Sequence, residues 1–270
     1  MLNKWNILWL LPIVIVFGFF FLYPLVMLII TSFHSGSHFT VQHYTDIVTN
    51  AYYAKALLNS LGLALIVTVV ALLLSGVLAF FLARHDFPGK SIYFTLLTFP
   101  MSFPGVVVGF MIIILFGSTG IVPMLVQMLT GAKAMVFAYT ILGIFLAYLY
   151  FEIPRIVMTL YGAIKEFDHS LEEAARTMGA TPWQAICYVV VPTIFPIFVS
   201  AGALAFSTSM SAFGTAFTLA DQFEILPIVM YNEFTLNFNI EVASAIAIVI
   251  GCICVLMNTA YRMMLERGGR

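Results

Sequence analysis

Few residue types in this chain can do chemistry, and their spacing suits it poorly. His34, His38 and His43 fall close together, and an i, i+4 histidine pair can hold a metal on a helix. The intervening Ser35-Gly36-Ser37 argues against a helix there, so no metal site is expected. Cys187, Cys252 and Cys254 have neither zinc nor redox spacing and read as small core residues. Gly89-Lys90-Ser91 looks like the end of a phosphate-binding loop, yet that loop's first glycine would fall on Arg84 and no strand precedes it. Glu152 and Arg155 stand at i, i+3 across Pro154. They read as the boundary where an apolar helix leaves lipid, not as a catalytic dyad. Nothing gathers His, Cys, Asp or Glu into the cluster that a membrane-face enzyme needs.

The elements that carry these residues are set by composition. Of 270 residues 62% are hydrophobic and 9% charged, and mean hydropathy is +1.06. A soluble domain carries roughly 25% charged residues, so this is an all-α integral membrane protein. A net charge of −1 gives no reason to expect a nucleic-acid partner. Six segments are long and apolar enough to cross: about 7–30, 57–82, 92–116, 135–151, 186–206 and 242–261. The first is too long for a cleavable signal and is expected to be retained. The fourth is short, and its helix should continue past Glu152 into water. The whole of 1–270 reads as one transmembrane domain.

Basic residues orient the spans. Lys4, Arg84, Lys90, Arg155, Lys165, Arg176, Arg262, Arg267 and Arg270 fall on one side, against Lys55 and Lys133 on the other. The richer side should be cytoplasmic, with both termini inside. The outer loops carry Asp46, Asp221, Glu224, Glu233 and Glu241, a mild acidic excess that leans toward a cationic solute.

In the inner loop 152–185, "SLEEAARTMGATPWQ" runs from Ser170 to Gln184. Ser170 with Glu173 three residues on predicts a capping box. Gly179 predicts the residue after the helix end, where positive φ is cheap. Thr181, Pro182 and Gln184 predict a second capped helix. Leu171, Ala174, Ala175 and Met178 fall at i, i+3, i+4 and i+7 as one apolar stripe, with Glu172, Glu173 and Arg176 as the polar remainder. A helix this short is marginal alone. The stripe lacks the aromatics and basic flanks of a headgroup binder, which favours a protein partner over membrane lipid.

Two regions carry features of a solute path. Pro100, Pro104, Gly105 and Gly109 mark the third span, with glycine spacing that permits close helix contact. Ser207, Thr208, Ser209 and Ser211 put four hydroxyls at the end of an apolar run, as on a wet surface. Pro104 and these hydroxyls are the candidate path residues. A stand-alone transporter or channel would show paired repeats and buried midplane charges, and the spans hold almost no ionisable residue.

The segment Glu173-Ala174-Ala175, three residues, Gly179, nine residues, then Val189-Val190-Val191-Pro192 resembles the EAA loop of permease subunits of ABC importers. The family pattern ends I-x-L-P, so Val189 and Val191 are mild departures. "NSL" at Asn59, "RHDFPGK" at Arg84 and "FPGVVVGF" at Phe103 look like the same family, so the resemblance covers most of the chain. It points to the branch that holds polyamine, ferric-iron, sulfate and aminoethylphosphonate permeases. The resemblance implies a MetI-like fold in a bacterial inner membrane. It implies that residues 171–176, 178 and 179 form a coupling helix on a cytoplasmic ATPase dimer. ATP and magnesium would be held there and not by this chain. It implies a second, similar but non-identical permease and an extracytoplasmic solute-binding protein. The solute would be a polyamine of the spermidine or putrescine type or 2-aminoethylphosphonate, with ferric iron or an inorganic anion as the alternative.

Overall fold

A computed structural model describes residues 4–36, 38–132, 136–220 and 223–268, with side chains from 11 to 264. Lys133, Asp221, Arg270 and Ser37 therefore lie outside the described residues, as do the side chains of Lys4 and Arg267. Among the described residues six helices are long and apolar enough to span: Leu11–Ser32, Ala51–Arg84, Gly105–Thr130, Ile141–Lys165, Pro182–Ser211 and Ile240–Met264.

Internal contacts divide the chain into two units. One holds Met1–Leu57 and Leu226–Cys252. Its first span is exposed along its whole apolar window and widens to a π turn at Gly18–Leu22. The histidines that follow occupy a hairpin, His34–Ser35 against His38–Phe39, and then a short helix, Gln42–Thr49. His34 Nδ1 and His43 Nε2 lie 2.7 and 2.9 Å from the carbonyls of Ile30 and His34, so backbone engages both rings. Glu233, counted above as loop charge, is buried. Its Oε1 accepts from Tyr53 Oη at 2.9 Å and Asn237 Nδ2 at 3.1 Å, so it acts as an internal acceptor.

The other unit holds Leu58–Ile225 and Ile253–Arg270. Its spans meet where side chains are small. A Cβ on Gly76 would come within 3.0 Å of the Phe198 ring, and one on Gly202 within 2.8 Å of Leu72. Gly105 and Gly109 do the same for the helix Gly214–Leu219, where any Cβ would run into Thr215 or Thr218. Close approach of this kind is how helices associate without a hydrophobic drive.

Several expected boundaries move, each for a local reason. The third segment is not one helix over 92–116. It is helical over Lys90–Thr98, tightens to a 3₁₀ turn at Phe99–Ser102, and restarts at Gly105 after extended Pro104. Pro100 and Pro104 cannot donate into the helix ladder, which forces the break. Helix returns at Ile121–Thr130, inside the expected loop 117–134. The fourth span starts at Ile141, not 135, and runs unbroken to Lys165 through Pro154. Cys252 is exposed on its span and not in a core.

Candidate functional site

The loop after the fourth span folds into a short helix, His169–Thr177, with a defined end on each side. Asp168, not Ser170, is its N-cap: extended at φ −71°, ψ 102°, it accepts the Ser170 amide at 2.9 Å. Ser170 is itself helical, so it cannot cap, and the Ser170–Glu173 box does not form. The carboxylate two residues upstream takes the orphan N–H instead. Hydrogen bonding from Ser170 holds the Asp168 carboxyl below its ordinary pKa.

The other end is a Schellman turn. Gly179 N–H donates to Arg176 O at 3.0 Å and Ala180 N–H to Ala175 O at 3.1 Å. This requires Gly179 at φ +97°, in otherwise open space. Thr181 then caps the next helix reciprocally. Gln184 N–H donates to Thr181 Oγ1 at 3.3 Å and Thr181 N–H to Gln184 Oε1 at 2.8 Å. That helix enters the fifth span through a π turn at Ile186–Val190, just before Pro192. The backbone turns where the residues said it would.

The faces of the short helix differ from the expected stripe. Ala175 is buried against its own chain, whereas Leu171, Ala174 and Met178 face outward. Glu172 turns inward with Ala175. Its Oε2 meets Arg84 Nη1 at 2.7 Å, with both side chains largely covered. At ~100° per residue, Glu172 and Ala175 share one side while 171, 174 and 178 share another. Trp183, passed over in the sequence, stands 73% exposed on the same loop. Its signal was an aromatic at the second position of a capped helix start.

A second polar group lies deep in the spans. Glu152 stands inside its helix and not at the helix end. It sits eleven residues after Ile141 and thirteen before Lys165, roughly 16–20 Å from either helix end at ~1.5 Å per residue. It is 4% exposed. Its Oε1 accepts from Arg155 Nη1 at 3.0 Å and from Thr208 Oγ1 of the fifth span at 2.6 Å. Arg155 follows one turn later on the same unbroken helix. The four hydroxyls do not form one wet face. Ser207 bonds Ala203 O and receives Asn258 of the sixth span at 3.0 Å. Ser211 bonds back to Ser207 O, and Ser209 Oγ is buried without a partner. Pro104 caps the helix Gly105–Phe116, whose first residue packs on Gly214 and Thr215 just beyond the hydroxyl run.

Known proteins fit this architecture. Residues 75–267 match the family described as binding-protein-dependent transport system inner membrane component. The chain is 30% identical over 231 residues to the sulfate transport system permease protein CysT of Escherichia coli K12, covering 84% of this chain and 82% of that one. It is 26% identical to a putative 2-aminoethylphosphonate transport system permease protein of Salmonella paratyphi A, covering 99% and 94%. To the putrescine transport system permease protein PotI of E. coli K12 it is also 26% identical, covering 93% and 89%. Among solved structures, a bacterial ABC transporter involved in alginate import superposes with a TM-score of 0.82 at 18% identity, covering 96% and 93%. The chain belongs to the binding-protein-dependent family: it is a multi-pass inner-membrane permease subunit of an ABC importer, a transport component and not an enzyme.

Proposed function

We propose that this permease moves a small ammonium-bearing solute inward, either a polyamine or 2-aminoethylphosphonate, driven by a separate ATPase dimer that docks on the helix His169–Thr177. The observation that carries the coupling role is a short helix stopped at both ends by its own side chains and backbone, with Leu171, Ala174 and Met178 turned outward. ATP and magnesium belong to the ATPase, and a second, non-identical permease supplies the other docking helix. An extracytoplasmic binding protein delivers the solute. The ammonium reading draws on the acidic outer loops and on the putrescine and aminoethylphosphonate relatives. The sulfate relative favours an inorganic anion as the second reading.

Ala174→Glu puts a charge on the outward face without touching the chain's own packing. It should abolish ATPase capture and solute-stimulated hydrolysis at normal membrane level. Wild-type capture would end the docking role. With cytoplasmic termini, in a cysteine-free background, a cysteine at Thr130 should label from outside and cysteines at Ser91 and Thr181 from inside. Uptake of labelled putrescine, 2-aminoethylphosphonate and sulfate by cells expressing the full transporter decides the solute class.

A further inference from the structure

We propose that Glu152 and Arg155 form a station in the fourth span for a zwitterionic solute, its ammonium taken by Glu152 Oε2 and its oxyanion by the Arg155 guanidinium. This rests on the reading that the chain moves an ammonium-bearing solute. A carboxylate buried within a spanning helix is expensive and rarely kept without a use. Here half of it is unused: Oε1 receives both donors, while Oε2 is buried with no hydrogen-bond partner among the described residues. The pair does not fasten spans to each other, because both charges stand on one helix a single turn apart. Only Thr208 crosses to the fifth span, and a neutral glutamine would accept its hydroxyl as well.

Arg155 completes the station. Its side chain is 38% exposed, and Nη1 reaches Glu152 while the guanidinium has four further N–H donors to offer. Together the two charges sum to zero. A dication would meet Arg155 with its second ammonium, and a dianion would meet Glu152. A short molecule with one charge of each sign satisfies both. In this conformation Oε2 is buried, so the side chains that cover it must part as the solute arrives.

The test is uptake by the complete transporter, with its ATPase, second permease and binding protein, using labelled 2-aminoethylphosphonate and labelled putrescine over a range of concentrations. Wild type should favour 2-aminoethylphosphonate. Glu152→Gln, which keeps the Thr208 bond, should raise its half-saturating concentration about thirtyfold or more. Arg155→Gln should do likewise while narrowing the preference against putrescine. Thr208→Val should leave the preference between the two solutes intact. A wild-type preference for putrescine overturns the proposal. So does any result in which Glu152→Gln and Arg155→Gln leave the ratio of the two solutes unchanged, which would mark the pair as structural. Movement of labelled sulfate and of neither amine would instead sink the ammonium reading itself, and this station with it.

Discussion

Glu152–Arg155 and Arg84–Glu172 are two ion pairs on covered carboxylates, built on opposite plans. The first lies within one turn of one helix and needs a hydroxyl from another span to reach beyond itself. The second joins residues far apart in sequence, tying the last residue of the second span to the loop helix at 2.7 Å. Arg84 also lies 5.0 Å from the Phe80 ring centroid, while its Nε and Nη2 are buried without hydrogen bonds. A pair confined to one helix transmits no motion between elements, but it can present charge to a passing molecule. A pair between elements presents nothing, but it makes the loop helix move with the span. The same two side-chain types thus stay within one helix in one case and join two elements in the other.

The largest expected effect tests the mechanical pair. Arg84→Met alone leaves Glu172 buried and unpaired, and Glu172→Leu alone does the same to Arg84. Breaking a buried pair costs about 3–5 kcal/mol, whereas replacing both members with apolar groups is often neutral. Each single variant should therefore lose solute-stimulated ATP hydrolysis and expose the loop to protease. The double variant should recover most of both. A double variant as impaired as the singles would show that the charges are read by a partner, and the contrast with Glu152–Arg155 would collapse.

Next comes Gly179, where coupling depends on backbone and not on charge. A β-branched residue held at positive φ is strained by roughly 1–2 kcal/mol, and the surrounding space is open, so no clash confuses the result. Gly179→Val should lower uptake and stimulated hydrolysis together at normal protein level. Gly179→Asn, which tolerates this conformation, should lie near wild type. Arg176→Ala, on the exposed side, should matter less than Gly179→Val. Equal losses for Val and Asn would mean that size, not φ, is sensed there.

The sequence showed these two regions unevenly. The Gly179 turn and the Thr181 box were legible because each is decided within six residues of chain. The Arg84–Glu172 tie was not, since nothing local marks which of Glu172 and Glu173 turns inward. The stripe 171, 174, 175, 178 was a correct apolar pattern assigned one partner, when the helix offers Ala175 to its own chain and the rest outward. Glu152 read as a boundary because Pro154 and a nearby arginine stand beside it; its burial against Thr208 of the fifth span was not legible, since that contact is 56 residues away in sequence. Six spans survived these errors because hydropathy over twenty residues averages them away. The breaks at Pro100 and Pro104 did not, being shorter than that window.

A smaller effect belongs to Thr181. Removing its hydroxyl loses one half of the capping box, for about 1 kcal/mol. Thr181→Ala should loosen the start of the fifth span and reduce stimulated hydrolysis only partly, and Thr181→Ser should restore it. Full loss of coupling in Thr181→Ala would place this hydroxyl in the docking contact itself.

The smallest effect is the pH response of Asp168, the fully exposed counterpart of the two covered pairs. Its carboxyl is held below the ordinary value of 3.8 chiefly by the Ser170 side chain and then by the Ser170 amide. The folded loop therefore prefers the ionised form. The stabilisation is complete above the unfolded pKa and is lost as pH falls through the lower, folded one. Amide exchange at Ser170 should stay constant through the neutral range and quicken, beyond its intrinsic pH dependence, only below about 3.8. Asp168→Asn keeps a capping oxygen but cannot titrate, so its protection should lack that step. If wild type and Asp168→Asn exchanged alike down to the acid limit, the cap would owe nothing to charge. The loop's electrostatics would then reside in Arg84–Glu172 alone, which sharpens the division between a surface turn made by hydrogen bonds and a buried tie made by ions.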